Sequence, residues 1–207
     1  EHGKWAGDTR YAALCAFRAF VRHMCGDLHP ALGYKARRRK PRPQRTLSNQ
    51  QVQTLLASIN TGRASGVRNL AMVTLMLDTG FRAAEICRLE LRYLDIDKRS
   101  AWVVVKGGEW GLGVFCDYTA SCLCAWLPIR ERLAQPGITN VFVAAEAYTG
   151  KPMTPDGLRS TFRAMGAKAG LGAFSPHDLR RTFCTLALEN GAPTRVVQKA
   201  GRWESID

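Results

Sequence analysis

Apolar residues recur at helical spacing along most of the chain. Tyr11, Leu14, Cys15, Val21 and Met24 fall on one face, and Phe17 and Phe20 widen the stripe, which predicts a helix within residues 1–26. Ser48 with Gln51 is a capping-box signature that opens a helix through about Ile59. Val67 to Asp78 is nearly all apolar and therefore predicts a central helix, ended by Gly80. A short helix, Ala83 to Leu89, follows it. The period then changes to two. Ala101–Val105 and Leu112–Cys116 read as strands around the turn Lys106-Gly107-Gly108. Thr119 to Leu133 is helical again, with Pro128 bending or splitting it, and Val141–Val143 reads as a short strand. Thr154-Pro155 and Ser175-Pro176 each place a cap before a first-turn proline, and the second helix should run to Gly191. A last helix begins near Pro193. The pattern is α+β, mostly helical, with a small antiparallel sheet.

Charge adds an organisation that periodicity does not show. The 207 residues carry a formal net charge of +13, a length suited to one full domain and part of a second. The excess is uneven: residues 1–45 hold 11 basic and 3 acidic side chains. Lys35, Arg37, Arg38, Arg39, Lys40, Arg42 and Arg45 form an acid-free run interrupted by Pro41 and Pro43, so an extended linker is expected there. It reads either as a solvated tail or as a strap lying along phosphates. One helix cannot be a domain, so residues 1–26 are expected to be the end of a larger N-terminal domain. Residues 27–45 would be the basic linker, and residues 46–207 the main domain. The seven cysteines include no CxxC pair, which favours reduced thiols over a disulfide framework or a zinc site. No stretch approaches the roughly 18 apolar residues of a membrane span. A basic balance of this size points to a polyanion, with nucleic acid foremost.

Familiar hydrolytic signatures are missing: there is no GxSxG, HExxH or P-loop, and no carboxylate cluster of the kind that holds magnesium. Cations instead mark helix ends and turns. Arg82 follows the Thr79-Gly80-Phe81 corner, Lys106 sits on the hairpin turn, and His177 and Arg180 lie three apart on one helix. Arg202-Trp203 lies near the chain end. Such a set suits phosphodiester chemistry without metal. Two guanidiniums can clamp the non-bridging oxygens of a phosphorane, and a turn lysine can protonate a leaving oxygen. A helix N-terminus favours the neutral imidazole at His177.

Thr79-Gly80-Phe81-Arg82-Ala83-Ala84-Glu85, with Leu89 and Asp95 after it, resembles the first arginine motif of the tyrosine recombinases, or phage integrases. Val105-Lys106-Gly107 resembles that family's hairpin lysine, and Pro176 to Phe183 its HxLRxTF box. Gln198 to Trp203 resembles the box that carries His or Trp, and residues 9–25 resemble the last helix of the core-binding domain. The resemblance implies the DNA breaking-rejoining catalytic fold and site-specific recombination through a 3′-phosphotyrosyl intermediate. Arg82 and Arg180 would bind the scissile phosphate, Lys106 would protonate the departing 5′ oxygen, and His177 would assist. Trp203 would pack and hydrogen-bond toward the phosphate, with Glu85 and Asp95 orienting an arginine or bracing the corner. Arg181 and Arg202 join the linker cations as expected DNA contacts. The implied partner is double-stranded DNA, with self-association on it for the full-length protein. Neither cofactor, metal nor membrane is implied, and the expected location is the cytoplasm of a bacterial or phage host, on the nucleoid.

Three features depart from the family pattern. Relatives carry the nucleophilic tyrosine beyond the His/Trp position, whereas this sequence stops at Asp207, so these residues are expected to bind DNA without cleaving it. Tyr11, Tyr34, Tyr93, Tyr118 and Tyr148 occupy unrelated positions. Glu109, Trp110 and Leu112 follow the lysine where many relatives have a second basic residue, and Arg181 stands where many have a second His. A type IB-like topoisomerase, or a decayed or regulatory DNA-binding relative, remains an alternative.

Overall fold

The computed structural model describes residues 7–34, 45–105, 107–146 and 150–202. It divides into two compact units, Glu1–Gln44 and Arg45–Asp207. The strap residues Lys35, Arg37, Arg38, Arg39, Lys40 and Arg42, together with Lys106, Tyr148 and Trp203, lie outside the described residues.

The first unit contains α1 (Gly7–Cys25), the helix that the apolar stripe predicts. Gly26 follows it in the left-handed region at φ 78°, and its N–H closes onto the Arg22 carbonyl at 3.1 Å. A 3-10 turn, Pro30–Gly33, comes next, and Arg18 donates to the Leu32 carbonyl to tie the turn back to the helix. Val21 is buried, while Phe17, Phe20 and Met24 are more than half exposed.

The second unit opens with α2 (Asn49–Ala57), α3 (Ala64–Thr79) and α4 (Ala83–Arg88). The predicted capping box at α2 is present on both sides, with Ser48 accepting from Gln51 N–H at 3.3 Å and Gln51 accepting from Ser48 N–H at 3.0 Å. Helix α3 packs against α5 (Asp117–Leu133) and α7 (Pro176–Glu189), which explains its nearly continuous apolar sequence. Ala71, Met72, Val73, Leu75 and Met76 are fully or almost fully buried in it. Helices α6 (Pro155–Lys168) and α8 (Thr194–Gly201) complete the set.

The sheet is antiparallel in the order β1-β2-β3, with β1 at Leu94–Asp95, β2 at Ser100–Val104 and β3 at Trp110–Val114. Trp102 pairs with Leu112 and Ala101 with Gly113. The third strand therefore lies two residues earlier than the Leu112–Cys116 expected from alternation. Phe115 ends the pairing by donating to Arg99 O, and Cys116 becomes the residue before α5. Pro128 sits inside α5 without dividing it, because Leu123 and Trp126 anchor the helix in the core. Val141–Val143 is not a ladder strand. All three residues are fully buried, Val143 forms a single bridge to Pro152, and Trp126 Nε1 donates to Val141 O at 2.8 Å. An apolar run buried on all sides looks like a strand in sequence and differs only in where its backbone bonds go. Among the described residues no helix is long and apolar enough to cross a membrane.

Candidate functional site

Gly80 ends α3 at φ 60°, ψ 24°, a conformation that favours glycine, and the chain turns there into α4. Arg82 caps α4 with extended backbone, and Glu85 stands three positions on. The Glu85 carboxylate accepts from Arg82 N–H at 2.7 Å and from Arg82 Nη1 at 2.8 Å. This holds the Arg82 side chain across its own helix start while 40% of it stays open to solvent. Glu85 itself is 5% exposed.

Arg180 reaches the same corner from α7. Ser175 and Asp178 fix the start of that helix, with Ser175 N–H and Oγ both donating to Asp178 Oδ2 at 2.8 Å. Arg180 comes one turn later and is buried. It donates through Nη1 to Gly80 O, across a separation of 100 residues, and through Nη2 to Gly201 O at the end of α8. Burial, reinforced by the Arg82 and Arg202 charges, pushes the Arg180 guanidinium down to about 10, so it remains a cation at neutral pH.

Arg202 closes the arrangement from the C-terminal side. It follows α8 in the left-handed region at φ 53°, ψ 50°. Its Nη2 lies 3.2 Å from Glu85 Oε2 and 3.4 Å from Gly80 O, and its carbonyl accepts from Arg82 Nη2 at 3.4 Å. Three guanidiniums thus meet around one carboxylate, which Arg82 and Arg202 share, and the three carbonyls of Gly80, Gly201 and Arg202. The local charge is strongly positive, one guanidinium is half open, and the others are buried behind it. That combination suits an anion and disfavours a cation. Among the described residues no group of three or more His, Cys, Asp or Glu could hold a metal ion.

A sequence model described as the Phage integrase family matches residues 45–207. The chain belongs to that family. A tyrosine recombinase XerC of Lactobacillus leichmannii is 29% identical over 205 residues, covering 95% of this chain and 68% of that relative. XerC of Histophilus somni is 29% identical over 191 residues, covering 90% of this chain and 63% of its own length. The chain therefore spans about two thirds of these curated relatives, or slightly less. Among solved structures, the crystal structure of XerA recombinase superposes with a TM-score of 0.70 at 22% identity, over 97% of this chain and 69% of that one. XerH site-specific recombinase bound to palindromic difH superposes at 0.76 and 19% identity, over 94% and 59%. These structural likenesses establish the fold.

Within this phage integrase domain the residues singled out from sequence separate into groups. Arg82, Glu85, Arg180 and Arg202 meet at the Gly80 corner. His177 is exposed in the first turn of α7. Partial burial, together with the positive charges of Arg181 and Arg180 and with Arg82 beyond them, holds its imidazole below the ordinary histidine range. Arg181 lies 3.5 Å from Asp178 on the same helix. Asp95 stands apart, accepting from Lys98 N–H at 2.8 Å and pairing with Lys98 Nζ at 3.2 Å. It braces the β1–β2 turn, and those hydrogen bonds hold its carboxyl below the usual range. Arg45, which the sequence groups with the strap, donates to Ala173 O and Leu171 O at 2.5 Å each and so clasps the loop before α7. Arg202, expected from sequence to join the linker cations as a DNA contact, is instead 11% exposed inside the cluster.

The sequence reading missed the turn carbonyls of Gly80 and Gly201 as ligands of the arginines. It named Glu85 as orienting an arginine, but not that Arg82 and Arg202 share its carboxylate. The alternation Trp110-Gly111-Leu112-Gly113-Val114 was the available signal, since glycines on one face of a strand mark a close approach from below. A Cβ on Gly111 would stand 2.8 Å from Arg202 Cδ, and one on Gly113 would stand 2.6 Å from Phe81 Cζ.

Proposed function

We propose that this chain carries the phosphate-binding machinery of a site-specific DNA recombinase, with a tyrosine hydroxyl as nucleophile. The observation that supports the reading most directly is the meeting of Arg82 and Arg180 at one corner, from helices distant in sequence. In this reading Arg82 and Arg180 hold the non-bridging oxygens of the scissile phosphate. Their fixed positive charge stabilises the added negative charge of the phosphorane without reorganisation at the moment of reaction. The tyrosine oxygen bonds to phosphorus, and the bond to the 5′ oxygen breaks. Lys106 delivers its own proton to that leaving oxygen, the tyrosine hydroxyl gives up its proton as it bonds, with His177 assisting proton transfer, and Trp203 supports the phosphate through its indole N–H. The phosphotyrosyl bond conserves the energy of the broken one, so a 5′ hydroxyl of a partner duplex reverses the step without a nucleotide cofactor.

The same reading makes residues 1–26 the closing helix of a core-binding domain and residues 27–45 a linker that follows DNA phosphates. Residues 46–207 then form the catalytic domain, Arg181 contacts DNA, and copies assemble on duplex DNA. The place of action is the bacterial or phage-infected cytoplasm, at the nucleoid. To test it, the chain is fused after Asp207 to the tyrosine-bearing segment of a relative and given duplex with a nicked site. Arg82→Lys and Arg180→Lys should each cut cleavage by roughly two to three orders of magnitude while binding is nearly retained, because lysine keeps charge but loses the planar fork. Lys106→Ala should recover on a 5′-thio leaving group and the arginine variants should not. Equal rescue of all three removes the division of roles. Relaxation of supercoiled DNA without recombination would assign a type IB-like topoisomerase instead.

A further inference from the structure

Arg202 stands out because three unfavourable features meet in it. Its backbone occupies the left-handed region, which strains any residue with a Cβ and is easy only for glycine. Its side chain is 11% exposed. Its Nε and Nη1 are buried without a hydrogen-bond partner among the described residues. The neighbourhood is nevertheless shaped to admit it. Gly111 leaves the space through which the Arg202 stem passes, and the guanidinium carbon lies 4.8 Å from the centre of the Phe81 ring.

The contacts that remain explain the arrangement. Glu85 alone would neutralise Arg82, to which it is bound through both oxygens. Arg202 Nη2 takes a share of Glu85 Oε2 and also reaches Gly80 O, the carbonyl that receives Arg180. With Arg202 present, one carboxylate is divided between two cations, and the corner keeps a larger positive excess facing the open side of Arg82. We infer that Arg202 is a positioning residue of the phosphate site, acting through Glu85 to keep the charge of Arg82 available to the bound anion. The inference rests on the function proposed above. A residue placed there for stability alone would be glycine.

The experiment uses the chain as it stands, with inorganic phosphate and a short duplex as probes. Phosphate affinity is followed by NMR and duplex affinity by fluorescence anisotropy, beside the thermal midpoint of each variant. Arg202→Gly relieves the backbone strain and removes the unpaired nitrogens, so it should melt at or above the wild-type temperature. It should nevertheless bind phosphate about tenfold more weakly, the effect of one charge at roughly 10 Å and an effective dielectric of about 20. Arg202→Met should lose the same affinity, and Arg202→Lys should recover most of it. Wild-type affinity in the Gly and Met variants overturns the inference and leaves the proposed function standing. So does a loss that follows a comparable loss of melting temperature, or a Lys variant no better than Met. A wild-type chain that binds neither phosphate nor duplex overturns the proposed function, and the inference with it.

Discussion

Gly80→Ala tests the corner on which the candidate site is built. Two costs can be separated from the structure. The residue sits at φ 60°, where a Cβ costs about 1–2 kcal/mol. That Cβ would also stand 2.6 Å from Phe183 Cδ1 and 3.0 Å from Cε1, so the ring must move, at about 1–3 kcal/mol for overpacking. The sum is roughly 2–5 kcal/mol. Gly191→Ala supplies the comparison, because Gly191 has φ 82° with nothing within 4 Å of its Cβ position and should lose only the first part. Urea denaturation followed by circular dichroism measures both, and the midpoints should fall with unchanged slopes. In Gly80→Ala/Phe183→Ala the clash is gone, so the double variant should be less destabilised than the sum of the single ones by about 1–3 kcal/mol. Strict additivity, together with equal losses for Gly80→Ala and Gly191→Ala, would falsify the steric half of the reasoning.

Other outcomes follow from the charges and thiols. His177 should titrate below its ordinary value of 6.5 in a pH series of NMR spectra, and Arg181→Gln should move its midpoint upward. Its neutral form is favoured by folding, so the associated stability is present above the unfolded value and is lost as pH falls through the folded midpoint. An unchanged midpoint in Arg181→Gln would remove the electrostatic part of that account. Burial pushes the Cys87 and Cys184 thiols up to about 11, so in native protein near pH 8 both should react slowly with a disulfide reagent, while exposed Cys15, Cys25, Cys116 and Cys124 react first. Mass mapping of the labelled sites decides it. Neutralising Arg37, Arg38 and Arg39 together should weaken specific and random duplexes alike and flatten the salt dependence of binding, whereas a change in sequence preference would mean that the strap reads bases.

The helix starts were legible in sequence because capping is local. Ser48 with Gln51, and Ser175 with Asp178, close their hydrogen bonds within one turn whatever the rest of the chain does. The central position of α3 was legible too, since a helix apolar on every side must be covered on every side. The ends of the sheet were not. The limits of β3 depend on where Phe115 finds Arg99, and the backbone of Val141 depends on Trp126 and Leu89 from other elements.

The motifs identified Arg82 and Arg180 by type and order, and with them the family. What they do to one another was a tertiary matter. Chain spacing carries no information about which carbonyl a guanidinium will reach 100 residues away, or which of two cations will share Glu85. Only the packing of α7 and α8 against the Gly80 corner turned a string of arginines into one buried, one half-open and one divided with a carboxylate, because desolvation and hydrogen-bond partners are properties of the folded environment and not of the residue.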